Sequence, residues 1–305
     1  MSADSTRGTG RSRLARYPVA VSDGLPDPPP PVSWGESRYL DVAGERMRVV
    51  ERGSAGPNLL LVHGYASNAQ AWRGVIDRLD GRFRMAAIDL VGFGWSSRVP
   101  ARPLTGDAYA DRLAGVLDAL GWERAHVAGA SWGGGLAQRL AAARPERIDR
   151  LVLVATVDPS RSLRLGTAGL RLGIRFPRLA RIAVRRAQRV AAAATGVTPD
   201  ELARGYVDPL QLAGTAAFLD RFVAEHATSS HLDLAQVVAP SLVIGPSEDR
   251  VVDPATTRSV ADRIRGARFE EIAGASHSVA SEEPDLVARL IAEFLAEPAS
   301  GVPAG

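Results

Sequence analysis

Short runs of consecutive apolar residues alternate along this chain with segments whose apolar residues recur every three or four positions. Asn58 to Val62, Phe83 to Asp89, His126 to Ala128 and Leu151 to Val154 have the length and composition of buried strands. Between them, Ala69 to Leu79 and Asp107 to Leu120 have helical spacing; in the second, Leu113, Val116, Leu117 and Leu120 form one stripe that ends at Gly121. A third helix is expected from Leu136 onward. Arg46 to Glu51 alternates like a half-exposed strand. Strands this uniformly apolar, separated by helices, predict an α/β fold with a mostly parallel central sheet covered on both faces.

The alternation stops after Thr156. Residues 158–235 read as helical, punctuated by glycine and proline, before Ser241 to Gly245 resumes the sheet. Phe269 to Ile272 adds a strand, and Pro284 to Leu295 a closing helix. The expected organisation is an N-terminal arm over 1–35, disordered or loosely docked; core over 36–157; a helical lid over 158–235; core again over 236–298; and a tail over 299–305. The arm expectation rests on a polar start followed by Pro26 and Pro28 to Pro31.

Composition narrows the function classes. At 305 residues and 46% hydrophobic content the chain can bury a sizeable core. It has no cysteine, which removes disulfides, thiolate metal sites and a cysteine nucleophile. Arg7, Arg11, Arg13 and Arg16 precede no apolar stretch long enough for a secretory signal, and no run spans a membrane, so a cytoplasmic location and no integral membrane contact are expected. The sequence pI of 9.7 accompanies a net charge of only +3. All the basic residues are arginine, whose high pKa inflates the pI, so no nucleic-acid partner is inferred.

The chemistry concentrates at Gly129-Ala130-Ser131-Trp132-Gly133-Gly134, between an apolar strand and a helix. A serine in a strand–G-x-S-x-G–helix context is a nucleophile elbow. The tight turn demands small residues two before and two after the serine. A serine hydroxyl needs a base within hydrogen-bond reach, and the base needs an orienting acid. His277, after the last strand, and Asp249, after Gly245-Pro246-Ser247-Glu248, supply them in the order nucleophile, acid, base.

With these motifs the chain resembles the α/β-hydrolase superfamily, in its lidded esterase- and lipase-like members, over about residues 36–298. The resemblance rests on Leu61-Val62-His63-Gly64-Tyr65, Asp89-Leu90-Val91-Gly92-Phe93-Gly94-Trp95-Ser96, the elbow, Asp249-Arg250-Val251-Val252, and Gly274-Ala275-Ser276-His277 followed by Glu282-Glu283-Pro284. It implies Ser131 as nucleophile, His277 as general base and then acid, and Asp249 as the orienting acid. It also implies an oxyanion hole from the backbone amides of Tyr65 and Trp132. In the family the acid usually stands three residues after the glycine, which here is Glu248. Asp249 is favoured because it heads the Asp-Arg-Val-Val run; Asp253 ranks third. Neither metal nor organic cofactor is implied. The segment Ser131 to Gln138 also looks like polyhydroxyalkanoate depolymerase-type hydrolases, although the oxyanion loop differs.

Other residues carry structural readings. His63 shapes the oxyanion loop, Asp89 braces the loop behind the nucleophile, His126 is structural and Trp72 is core. Trp95 and Trp132 read equally as acyl-pocket lining or as core. His226 and His231, five apart, do not share a helix face and make no metal site. From Pro159 to Pro199 there are nine arginines (Arg161, Arg164, Arg171, Arg175, Arg178, Arg181, Arg185, Arg186 and Arg189) and no Asp or Glu. Arg178, Arg181, Arg185 and Arg189 share one helix face, while Leu179, Ile182, Ala183, Ala187 and Val190 fall on another. This segment reads either as a solvated outer face or as a surface for an anionic substrate, an acyl carrier or a lipid headgroup.

The expected activity is hydrolysis of a small-molecule carboxylic ester or related acyl substrate, anionic and lipid-like ones included, through an acyl-enzyme on Ser131. Serine at the elbow separates the chain from relatives that use aspartate there, such as haloalkane dehalogenases and epoxide hydrolases. Thioesterase, lactonase, C–C bond hydrolase, cofactor-free perhydrolase and acyltransferase chemistry remain open on the same triad, as does a non-catalytic receptor or scaffold. Oligomeric state is not readable from the sequence.

Overall fold

A computed structural model describes residues 24–160, 166–227 and 229–297. Eight strands form one sheet: β1 (Glu36–Val42), β2 (Glu45–Arg52), β3 (Asn58–Val62), β4 (Arg84–Ile88), β5 (Ala125–Ala130), β6 (Ile148–Val154), β7 (Ser241–Pro246) and β8 (Arg268–Ile272). Their order is β1-β2-β4-β3-β5-β6-β7-β8. β2 runs antiparallel to both neighbours, and β4 through β8 are parallel. The chain steps outward from β3 to β4 and then returns to place β5 on the other side of β3. The strand order therefore reverses between β3 and β5, where ligands bind in open sheets of this kind.

Side-chain alternation explains why the central strands read as unbroken apolar runs. Leu60 and Val62, Ala86 and Ile88, Val127, Leu151 and Leu153 enter one core. Leu59 and Leu61, Met85 and Ala87, Ala128, Val152 and Val154 enter the other. One core is closed by α1 (Arg73–Leu79), which follows a 3₁₀ turn at Ala69–Trp72, together with α10 (Val279–Glu282) and α11 (Pro284–Ala296). The other is closed by α2 (Gly106–Ala119), α3 (Trp132–Ala143) and α9 (Pro254–Arg263). Thr105 Oγ1 caps α2 by accepting from the Ala108 amide at 3.3 Å, and Asp253 caps α9 through the Ala255 amide at 2.9 Å. Asp253 is thus committed to a helix end.

Two features depart from the sequence reading. The edge strand β1 has no counterpart in it, and Leu25 and Trp34, within the expected arm, are buried. Trp34 is only 3% exposed and joins the second core. Apolar burial of a Trp side chain outweighs the proline-rich character of its flanks. The earlier part of the expected arm, and Arg161 and Arg164, lie outside the described residues.

Between β6 and β7 stand α4 (Ala168–Arg175), α5 (Pro177–Ala187), α6 (Arg189–Thr195), α7 (Pro199–Val207) and α8 (Thr215–His226). Phe218, Phe222 and His226 recur every four residues on α8 and anchor this insert to the core. Phe222 stacks on His226 at 5.0 Å and meets Trp132 edge-on at 5.4 Å.

His226 Nε2 accepts from the Trp132 indole at 3.2 Å, so its proton sits on Nδ1 and faces the Leu104 carbonyl at 3.3 Å. Burial lowers its pKa below the ordinary 6.5, against the Leu104 hydrogen bond that raises it. Burial likewise lowers His63 and His126. The unfolded chain then takes up protons that the folded chain refuses, so stability falls as pH drops through and below 6.5. Wild-type melting temperature should decline between about pH 7 and pH 5, and His226→Gln should decline less steeply. Equal slopes would remove His226 as a contributor.

Candidate active site

The reversal point of the sheet is also where the reactive groups gather. β5 ends at Ala130, and the next residue, Ser131, has a φ of 52° and a ψ of −121°, a region that non-glycine residues rarely adopt. The close approach of β5 and α3 enforces this turn. A Cβ on Gly129 would stand 2.5 Å from the Gly133 carbonyl oxygen and 2.7 Å from the Gly134 Cα. One on Gly133 would collide with the Val62 and His63 carbonyls. The Ser131 amide donates to the Val154 carbonyl at 2.9 Å, and its own carbonyl accepts from Gly134 at 3.0 Å. These bonds fix the backbone and leave the side chain standing clear of the sheet.

Three side chains from three separate loops meet there. His277 Nε2 lies 3.0 Å from Ser131 Oγ, and His277 Nδ1 lies 2.7 Å from Asp249 Oδ2. Asp249 is buried, and its Oδ1 accepts from the amides of Val251 at 2.8 Å and Val252 at 2.9 Å. Burial alone would raise its pKa. The hydrogen bond from His277 and those two amides outweigh burial and hold the carboxyl below its ordinary value. An ionised carboxylate can only accept, so it fixes the proton on His277 Nδ1 and leaves Nε2 free to accept from the serine hydroxyl. Glu248 is exposed, and its amide donates to the Ala275 carbonyl. The one-residue offset turns Asp249 inward and Glu248 outward.

The loop after β3 passes directly beside the serine: a Cβ on Gly64 would lie 3.5 Å from Ser131 Oγ. His63 pins this loop. It is fully buried, its Nε2 accepts from the Leu90 amide at 2.9 Å, and its Nδ1–H donates to the Gly64 carbonyl at 2.7 Å. Asp89 braces the next loop, accepting from the amides of Ala69 at 2.7 Å and Trp95 at 2.8 Å and from Arg48 at 3.3 Å. Tyr65 follows Gly64 on the pinned loop. Trp132 opens α3, where the first amides have no acceptor within the helix.

A cavity of about 360 Å³ opens onto Ser131 and His277. Its walls include Ala180 and Val184 of α5, Tyr206 of α7 and Leu210, so the insert contributes to the wall of the cavity. Burial raises the pKa of Tyr206, and the neighbouring Ser67 and Gln70 side chains oppose the rise. Nothing in the sequence marked Tyr206, because its place in the wall depends on how the insert helices pack. Neither tryptophan weighed for the pocket lines this cavity. Trp132 is buried in the aromatic cluster with Phe93, Tyr109 and Phe222, and Trp95 faces a cleft beside Pro30 and Trp34. Trp72 is fully buried, His126 lies within β5 against Phe83, and His231 is exposed.

A sequence model of the alpha/beta hydrolase fold matches residues 57–196. The chain is 31% identical over 271 residues to a 2-hydroxymuconate semialdehyde hydrolase of Pseudomonas sp. strain CF600, covering 85% of this chain and 94% of that protein. Among solved structures it is similar to a meta-cleavage product hydrolase from Pseudomonas fluorescens IP01, at 27% identity and a TM-score of 0.67, over 85% of this chain and 97% of that one. The enol-lactonase of Burkholderia xenovorans LB400, at 23% identity and a TM-score of 0.68 over 85% of this chain and all of that one, shares the fold. Sheet order, elbow and kinship over 85% of the chain lead to one conclusion: the chain belongs to the α/β-hydrolase family and is a hydrolase.

Proposed function

We propose that the protein is a serine hydrolase that cleaves the bond between a carbonyl carbon and its leaving group, with Ser131 as nucleophile, His277 as base and then acid, and Asp249 as the orienting acid. The observation that carries this reading is the 3.0 Å approach of His277 Nε2 to Ser131 Oγ at a cavity lined by the insert helices. Ser131 Oγ attacks the carbonyl as His277 Nε2 takes its proton. Asp249 stabilises the resulting imidazolium. The tetrahedral oxyanion lies against the Tyr65 and Trp132 amides; loss of one such donor typically costs about 3 kcal/mol of transition-state stabilisation. The imidazolium returns its proton to the leaving group, and the acyl group remains on Ser131. Water then attacks with His277 again as base, releasing a carboxylic acid and free serine.

The leading substrate class is an aldehyde or ketone in which the bond from the carbonyl carbon to its neighbouring carbon is broken. The relative at 31% identity is named for hydrolysis of 2-hydroxymuconate semialdehyde, which supports this over the ester expected from sequence motifs. A carbon leaving group departs only as an enolate or its vinylogue, so such a substrate needs a second carbonyl or enol conjugated to the cleaved bond. His277 then delivers its proton to carbon. The second reading is ester or lactone hydrolysis. It is favoured by the cavity walls: among the described residues that line them there is no Asp, Glu or Arg, and the aliphatic side chains Ala130, Val154, Leu170 and Val184 suit an uncharged acyl group. The insert acts as a lid in either case, excluding bulk water from the acyl-enzyme.

The two readings separate in a substrate panel. A 2-hydroxy-6-oxo dienoate, followed by loss of its absorbance, is compared with p-nitrophenyl esters from acetate to palmitate. The C–C reading predicts kcat/KM at least about tenfold higher on the ketone, and the reverse ranking assigns ester chemistry. Ser131→Ala should lower kcat by roughly 10⁴–10⁶ on whichever substrate is used; near-normal turnover would exclude Ser131. Asp249→Asn should reduce kcat by about 10⁴, while Glu248→Gln should change it less than about threefold. The opposite pattern would transfer the acid role to Glu248.

A further inference from the structure

The insert presents a second surface that the cavity chemistry does not use. Among the described residues, five of the nine exposed large apolar side chains fall within one short stretch: Leu172 (58% exposed), Phe176, Leu179 (61%), Ile182 and Val190. On α5 the side chains divide into three sectors. Ala180, Val184 and Ala187, at i, i+4 and i+7, line the Ser131 cavity. Leu179, Ile182, Ala183 and Arg186 form a neighbouring sector that faces solvent, with the arginine set among the apolar side chains. Arg178, Arg181 and Arg185 form the third.

Arginine is in excess over acid on this surface. Arg171, Arg181 and Arg185 pair with Asp220, Asp208 and Asp200. Arg178, Arg186 and Arg189 are exposed and have no acidic partner among the described residues, and Arg175 lies over the Phe176 ring at 5.2 Å. No Asp or Glu occurs between Pro159 and Pro199. A purely solvated helix face does not need large aliphatic side chains beside its arginines. A second copy of the chain would set arginine against arginine. An acidic protein would satisfy the arginines but would cover the apolar sector only with a matching apolar patch of its own. An anionic lipid surface satisfies both, taking the apolar side chains below the headgroups and the guanidinium groups at their level.

We propose that α4 and α5 dock the protein on anionic lipid surfaces, with Leu172, Phe176, Leu179 and Ile182 inserted and Arg175, Arg178 and Arg186 against the headgroups. Docking places α5, one wall of the Ser131 cavity, against the bilayer. The proposal does not depend on which acyl bond is cleaved, because binding is read without turnover.

The test is flotation of the full-length protein with phosphatidylcholine vesicles, with and without one third phosphatidylglycerol. Wild type should bind the anionic vesicles, bind neutral ones far more weakly, and release as salt rises. Arg178→Glu/Arg186→Glu should weaken binding roughly thirtyfold or more. Leu179→Ser/Ile182→Ser should weaken it roughly tenfold. All four side chains are exposed, so both variants should keep the wild-type melting temperature, which is measured alongside. Absence of wild-type binding overturns the proposal. So does unchanged binding in both variants, which would assign any binding to arginines elsewhere, such as Arg7 to Arg16. Loss on charge reversal but not on apolar replacement also overturns it, and so does arginine-dependent binding of an acyl carrier protein without vesicle binding.

Discussion

The turn at Ser131 exists because β5 and α3 approach until only glycine fits between them. A positive φ at a serine costs on the order of 1–3 kcal/mol, and it persists only where the surroundings over-determine it. Here they do. The serine carbonyl accepts from the amides of Gly134, Gly135 and Val157, and its amide is held by β6 through Val154. Packing of Gly133 against the end of β3 brings the His63-Gly64-Tyr65 loop beside the hydroxyl. One steric constraint thus positions the proposed nucleophile, aims the start of α3 at it and locates the proposed oxyanion donors.

The same helix start ties the insert to the core. Trp132 is the first residue of α3 and also the hub of the aromatic cluster that receives α8. Tyr65, on the loop beside Ser131, stacks on Phe222 at 5.7 Å and reaches the Gly166 carbonyl with its hydroxyl at 3.1 Å. Changes in the position of the insert are therefore felt on both sides of the serine. This coupling gives physical meaning to an insert whose inner face lines the cavity and whose outer face is apolar and arginine-rich.

What could be read from sequence follows from how local each signal is. Leu59 to Val62 and Leu151 to Val154 declared themselves because both faces of those strands are buried. The glycines around Ser131 declared themselves because the elbow is a local steric problem. Asp249 was separable from Glu248 only by its Asp-Arg-Val-Val context, and the inward turn of one and outward turn of the other needed the loop's geometry. β1 escaped notice because an edge strand such as Glu36-Ser37-Arg38-Tyr39 carries polar residues on both faces. Trp34 escaped because its burial is a tertiary event in a proline-rich segment. Tyr206 and Val184 could not be placed in the cavity at all, since helical spacing says which residues share a face but not what that face meets. Trp132 carried two readings, and its contacts with Phe93, Tyr109, Phe222 and His226 put it in the core.

The central claim is that Ser131 is made nucleophilic by His277, itself held by Asp249. Intact-mass spectrometry after exposure to an alkyl fluorophosphonate, followed by peptide mapping, tests it without knowledge of the natural substrate. A single adduct on Ser131, formed rapidly in wild type and slowly or not at all in His277→Ala, is the predicted result. Absence of an adduct, an adduct on another serine, or equal labelling rates in the two proteins would contradict it.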